Sequence, residues 1–362
     1  MQASEYYEII ANRIHDKAKD REVVCWGYNP EYIKCMKEQG LSIEKIFSAN
    51  KTLIEKQGCI SPELLKDASD KLFVIFPTAA TPATIKKLRS FGYSDDDFLT
   101  MFPERKIVLT DGFGHFHDDY GNTVEGFAQN LKIEITGYNN EIRIGEGVSI
   151  PDKLVIRITS PNNRFFIGNK CVFKGDYLGD SGVLFTLPGK GGTVVDIGSA
   201  CRFMKAHINT GDYSELYIGE KTTFEPGLFI QIDSCSKVDI GKDCMFSSDA
   251  MIQSTDGHSI FDVETKKNVN SLLKEGEKYI RTVKIGDHVW IGRRSMIIGD
   301  TSVGAGSVIG GQSLVKGTFP NNVVIAGTPA RILAKNRAWA RKQMAENIAD
   351  CGIYTDFTNE DI

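Results

Sequence analysis

The 362-residue chain reads as two architectures in series, a small Rossmann-like α/β unit over residues 1–105 and a parallel β-helix over 131–330. Three observations predict this. Short β-rich runs alternate with helix-like stretches in the first hundred residues, the layout of a small parallel sheet. Further on, Ile285, Ile291, Ile297, Val303, Ile309 and Val315 are aliphatic at an unbroken spacing of six. Neither a helix nor a strand has that period, whereas coils built of one hexad per face, each turning one side chain inward, do. The 35 glycines exceed the usual share of about 7%, and many of them follow an isoleucine at repeat positions.

In the N-terminal unit, runs 22–26, 43–47 and 72–76 are expected strands, and the stretches near 31–39, 61–67 and 82–90 are expected helices. Ser61-Pro62-Glu63 and Thr81-Pro82 each supply an N-cap followed by proline at the first helical position. The turn Trp26-Gly27-Tyr28-Asn29-Pro30 stands where a dinucleotide-binding unit carries its glycine-rich phosphate turn, but only Gly27 fits. The second strand leads to Ser48 or Asn50 rather than to an acid for a ribose, which argues against NAD. Residues 106–130 show no sustained period and read as a linker carrying a hairpin. His115 and His117 with Asp118 and Asp119 are expected on that hairpin, exposed, rather than on a metal.

Upstream of the unbroken hexads, Ile-Gly pairs occur at 144/145, 167/168, 197/198, 218/219 and 240/241. Phe224 and Ile230 follow Ile218 at six and twelve residues, as Phe246 and Ile252 follow Ile240. Three hexads make a coil of about eighteen residues, with a few more at the corners. The wider gap from Ile240 to Ile285 holds either two coils or one coil and an excursion. Residues 255–282 are polar and lack the repeat, so the excursion is preferred. Residues 331–362 are expected to close the stack as a helical cap and tail: 330–348 is rich in helix formers, with Ile332, Leu333 and Trp339 as an apolar stripe.

The formal charge of −4 gives no whole-chain field for nucleic acid or anionic lipid. Eight cysteines without a C-x-x-C pair signal neither zinc nor a redox dithiol and fit a reducing cytosol. No stretch approaches the roughly 18 apolar residues that span a bilayer, and the N-terminus has no apolar signal region. A cytoplasmic protein with no integral membrane segment and no nucleic-acid partner is expected.

The phrases IGDHVWIG, SVGAGSVIGG and VVIAGTPARIL, in that order, resemble the hexapeptide-repeat acyltransferases with a left-handed β-helix, over residues 140–335. The segment STDGHSI further resembles the subset that O-acetylates capsular and other cell-surface polysaccharides. The resemblance implies a homotrimer, acetyl-CoA in the groove between adjacent β-helices, no metal, and a glycan or glycan precursor as acceptor. It also implies a left-handed coil, against the usual right-handed crossover preference.

Acetyl transfer to a sugar hydroxyl needs a general base, and histidine is the natural choice. His258, in the long loop, matches the residue that the family uses. Asp256 is a candidate to orient it, or else shapes an Asx-turn; Asp262 is the rival partner. His288 reads as a surface or intersubunit histidine. Trp290 is expected to face out, and the resemblance places it beside the pantetheine arm or the acceptor. CoA phosphates require cations and open backbone. Gly310 and Gly311 offer the backbone approach, and Lys316 and Arg331 match the family's basic positions; Lys335, Arg337, Arg341 and Lys342 follow on the expected cap helix, where most read as a solvated face.

Two rival functions remain. An N-acetyltransferase acting on an amino nucleotide-sugar would share the two-part layout, but the phosphate turn is missing. A noncatalytic trimeric scaffold would have no use for His258 or the CoA phrase. A β-helix carbonic anhydrase is set aside, since His207, His258 and His288 lack that family's close histidine pair.

Overall fold

The computed structural model describes residues 3–65, 70–76, 81–100, 106–110, 114–126, 128–175, 182–270, 272 and 277–355. The chain forms two compact units: Met1–Lys106 with Asp118–Asn122 and Thr136–Asn139, and Ile107–His117 with Thr123–Ile135 and Asn140–Ile362.

The first unit comprises α1 (Ala3–Ala18), β1 (Glu22–Trp26), α2 (Pro30–Glu38), β2 (Ile46–Phe47), α3 (Lys51–Gln57), β3 (Lys71–Ile75), α4 (Thr81–Ser90) and β4 (Phe98–Thr100). Its strands form one parallel sheet in the order β2-β1-β3-β4. Ile10, Ile14, Met36 and Leu72 are buried in one cluster, and Trp26, Phe47, Phe73 and Leu88 in another. The stretch expected as a helix at 61–67 holds only a 3-10 turn, Pro62–Leu64, capped by Ser61; residues 66–69 lie outside the described ones. The side chains of Thr81 and Pro82 likewise lie outside, so that cap is not assigned. Helix α3 was not foreseen. Asn50 caps its first turn, and Gly58 ends it at φ +67°, a conformation that glycine adopts without steric cost.

The second unit is a parallel β-helix with three faces. On the first face Ile197, Ile218, Ile240, Ile285 and Val303 are successive partners. The second stacks Phe203, Phe224, Phe246, Ile291 and Ile309. The third stacks Ile208, Ile230, Ile252, Ile297 and Val315. All six residues of the unbroken hexad series are at most 2% exposed, each contributing about 1.5–3 kcal/mol by burial. Ile240 pairs directly with Ile285, so a single coil bridges the wide gap, and residues 254–280 leave it as the expected excursion. The Ile-Gly pairs follow from the stacking distance. A Cβ on Gly219 would lie 2.5 Å from the Gly241 carbonyl carbon, and one on Gly241 would lie 2.6 Å from the Asp287 amide nitrogen. Two residues further on, the corner takes positive φ in every coil, at Ala200, Lys221, Asp243 and His288.

The structure corrects the sequence reading at both ends. The stretch at 106–130 contains the expected hairpin, His115–His117 against Thr123–Glu125, but it is not a linker. Ile107–Leu109 pairs antiparallel with Leu131–Ile135, and Thr123–Glu125 pairs parallel with Glu141–Ile144. Nor is there a C-terminal α-helix among the described residues. Ala330–Lys335 is a strand, antiparallel to Val323–Gly327, followed by irregular chain and a 3-10 segment, Ile348–Thr355. The open edge of the last coil presents unpaired backbone groups, and satisfying them outweighs a weak helix propensity. Of the expected apolar stripe only Trp339 is buried, while Ile332 and Leu333 are exposed.

Candidate active site

The excursion leaves the β-helix where the third face turns into the first. At its entry Thr255 hydrogen-bonds Asp233 through its hydroxyl, and the Gly257 amide donates to the Thr255 hydroxyl. Asn270, nearly buried, fastens the centre. Its Oδ1 accepts from the Ile260 amide at 2.7 Å, and its Nδ2 donates to Asp256 Oδ2 at 3.0 Å and to the His258 carbonyl at 2.9 Å. At the exit, Lys278 Nζ and Tyr279 Oη both donate to Glu215 at 2.7 Å. Burial pushes the Glu215 carboxyl up, but these two hydrogen bonds outweigh it and hold the group below the usual range.

The His258 side chain is exposed on this framework. Neither candidate carboxylate bonds its ring among the described residues. Asp256 is held by Asn270. Asp262 accepts from the amide and hydroxyl of Thr265 and from the Glu264 amide, and these bonds hold its carboxyl below the usual range. Asp262 thus shapes a turn, and Asp256 acts on the loop backbone around His258 rather than on the imidazole.

The CoA candidates lie elsewhere. Trp290, on the second face, is 37% exposed and donates from Nε1 to the Ser247 hydroxyl at 3.2 Å. Gly310 does not offer a free donor: its amide is committed to the Ile325 carbonyl at 2.7 Å, and a Cβ there would lie 2.8 Å from the Ala326 Cβ. It serves close packing. Gly311 borders a cleft of about 290 Å³ with Arg293, Arg294 and Gln312. The two arginines, within 3.6 Å and 3.5 Å of the Asp249 carboxylate, are a cationic pair that sequence reasoning missed. Their signal was present, since Arg293 and Arg294 occupy the corner one coil before Gly311 and Gln312. Lys316 and Arg331 are exposed, and Arg331 donates to the Ala330 carbonyl at 2.8 Å.

Strand order places these residues on different edges of the prism. His258, Asp256 and Lys316 sit where the third face meets the first. Gly310, Gly311, Arg293 and Arg294 sit where the second meets the third. One chain therefore does not bring His258 and the Gly311 cleft to the same edge.

His288 is not a surface residue. It is 3% exposed; its Nδ1 lies 2.7 Å from the Asp243 carboxylate and its Nε2 2.9 Å from the Trp339 carbonyl. The indole of Trp339 stacks on the imidazole at 4.1 Å and returns a hydrogen bond to the His288 carbonyl at 2.7 Å. Arg341 also pairs with Asp243 and donates to the Asp243 and Cys244 carbonyls. This clasp fastens the C-terminal segment to the β-helix, and it removes Arg341 from the CoA candidates. Among the described residues no His, Cys, Asp and Glu cluster could hold a metal ion, and no helix is long and apolar enough to cross a membrane.

Comparison with known proteins defines the class. Residues 282–317 match the bacterial transferase hexapeptide (six repeats) family. The polysialic acid O-acetyltransferase of Neisseria meningitidis is 31% identical over 225 residues, 61% of this chain and 95% of that protein. The enzyme of the same name from Escherichia coli O1:K1 is 32% identical over 154 residues, 42% of this chain and 47% of that protein; the chain thus spans about half of its length. The crystal structure of the polySia specific acetyltransferase NeuO superposes with a TM-score of 0.51 at 27% identity, covering 61% of this chain and 87% of that one. The chain belongs to the hexapeptide-repeat acyltransferase family, whose β-helix is left-handed. Within it, the likeness is to polysaccharide O-acetyltransferases.

Proposed function

We propose that the protein is an acetyl-CoA-dependent O-acetyltransferase acting on a sugar hydroxyl of a capsular or other cell-surface polysaccharide, or of its precursor. The observation that carries this is the identity running through 95% of the Neisseria polysialic acid O-acetyltransferase. His258 is the general base. Its imidazole takes the proton of the acceptor hydroxyl as that oxygen attacks the acetyl carbonyl. The new C–O bond forms, the C–S bond breaks, and the proton passes to the departing CoA thiolate. A backbone N–H at the coil edge stabilises the oxyanion. Asp256 and Asn270 hold the loop in position.

The Gly311 cleft with Arg293 and Arg294, together with Lys316 and Arg331, supplies cations for the CoA phosphates, and Trp290 flanks the pantetheine or the acceptor. The chemistry requires no metal. Because the base and the Gly311 cleft occupy different edges of one prism, the site forms between chains of a homotrimer, one contributing His258 and its neighbour the cleft. The N-terminal unit is a Rossmann-like layer without a dinucleotide. Asn29 Oδ1 accepts from the Glu31 and Tyr32 amides and Pro30 has no N–H, so the donors that would hold a diphosphate at this helix are used. The free thiols of all eight cysteines suit the cytoplasm.

The test is CoA release by the full chain with acetyl-CoA and three acceptors: a sialic acid oligomer, a neutral oligosaccharide and an amino-sugar nucleotide. Release with a glycan alone supports the proposal. Release with the nucleotide alone would make the protein an N-acetyltransferase, and no release with any acceptor would favour a scaffold.

A further inference from the structure

The first unit contains a cleft of about 440 Å³, within the roughly 300–1,000 Å³ range of small-molecule sites. Edge strand β4 and helix α1 line it, with Tyr120 at one side. On α1, Arg13 and Lys17 are one turn apart on one face, and both are half-buried. Each head is fixed by a main-chain carbonyl: Arg13 Nη1 donates to Asp119 at 2.9 Å and Lys17 Nζ to Asp95 at 2.8 Å. Both keep further N–H donors, and among the described residues neither makes an ion pair with a carboxylate. The Asp95 carboxylate is already taken by Arg89. Among the described residues Asp16 makes no ion pair, so with Asp95 paired to Arg89 the charged residues lining the cleft leave a balance of one positive charge. The guanidinium of Arg13 lies 5.4 Å from the Tyr120 ring centroid, and the Tyr120 hydroxyl is 3.3 Å from that of the nearly buried Thr100.

Two fixed cations without anionic partners, beside a pair of hydroxyls and an aromatic ring, match a ligand that carries a carboxylate and several hydroxyls. We propose that this cleft binds an acidic sugar residue of the glycan, away from the acetyl-transfer chemistry, so that the N-terminal unit holds the polymer. This rests on the glycan-acceptor reading above. A carboxylate suits the guanidinium fork, and a three-residue edge strand is too short to recruit a peptide as an added strand.

The test is calorimetric titration of the full chain with a sialic acid oligomer, with neutral maltohexaose and with oligo-glutamate, together with acetyl-transfer kinetics on the oligomer. The double variant Arg13→Met/Lys17→Met keeps the apolar stems and removes the charges. It should bind the sialic oligomer about tenfold more weakly or worse, the loss expected of one charge-assisted hydrogen bond, with KM for the oligomer raised and the melting midpoint unchanged. Asp16→Asn, which removes that carboxylate, should tighten binding. Undiminished binding by the double variant, weaker binding by Asp16→Asn, equal binding of maltohexaose, equal competition by oligo-glutamate, or no binding by the parent would each overturn the proposal. Loss of oligomer binding in the double variant, when the parent acetylates no glycan, would sink the transferase reading and leave the cleft standing. Acetylation of the oligomer with the same KM in both would do the reverse.

Discussion

His288→Ala measures what the C-terminal clasp contributes. The ring hydrogen-bonds a carboxylate at 2.7 Å and a carbonyl at 2.9 Å. The first bond is of the charged class, worth about 1.5–3 kcal/mol, and the second about 1 kcal/mol. The stacked indole adds about 0.5–1.5 kcal/mol. The backbone adds little, because Ala200 already occupies the equivalent positive-φ corner three coils earlier. The sum is about 3–5.5 kcal/mol. It falls on the contact between Trp339, Arg341 and the corner rather than on the hexad core, since no hexad side chain is removed. Hydrogen exchange should therefore speed up by about 10²–10⁴-fold around Arg337, whose amide donates to the Asn322 carbonyl, while protection at Ile297 stays unchanged. Unchanged protection at Arg337, or equal loss throughout the β-helix, would refute this assignment.

Three further outcomes follow from the same structure. Ile297→Asp buries a carboxylate in a fully enclosed aliphatic column, at a cost of several kcal/mol, and should give insoluble protein; a soluble variant with the parental melting temperature would show the register to be wrong. Light scattering should return three times the chain mass, and a fully active monomer would rule out the shared site. Burial raises the Asp243 carboxyl, but the His288 hydrogen bond and the Arg341 charge outweigh it and hold its pKa low. Its contribution is thus present above the unfolded value of about 3.9 and lost as pH falls through the lower folded value. The protection factor at Arg337 should hold from pH 7 to 5 and drop only in stronger acid, and a loss between pH 7 and 5 would contradict this.

The β-helix was legible because a six-residue period has few physical explanations, and every residue of 285–315 assigned inward is inward. The earlier coils were harder to read. Ile167 and Ile197 are direct partners thirty residues apart, so Phe173 and Phe203, which stack at 5.1 Å, carry no constant spacing. Periodicity also says which side of a strand faces the core, but not what later covers the other side. His288 was read as outward, and Trp339, 51 residues on, buries it. At 330–335 local propensity lost to a backbone edge, and the strands at Ile107–Leu109 and Thr123–Glu125 are too short to show a period.

The site divides in the same way. His258 could be found from its residue type and its loop. Its supports, Asn270 and the pairing of Lys278 and Tyr279 with Glu215, are joined only by the folded chain. Gly310 is needed for packing rather than for openness, whereas Arg293 and Arg294 come beside Gly311 only once the coils are stacked.

The most direct measurement is steady-state acetyl transfer by His258→Ala, with His117→Ala, an exposed hairpin histidine, as the control in place of His288. A general base contributes about 10²–10⁴-fold, so kcat should fall by that factor, with little change in affinity for acetyl-CoA and with parental activity in the control. Transfer by His258→Ala at the parental rate would contradict the mechanism.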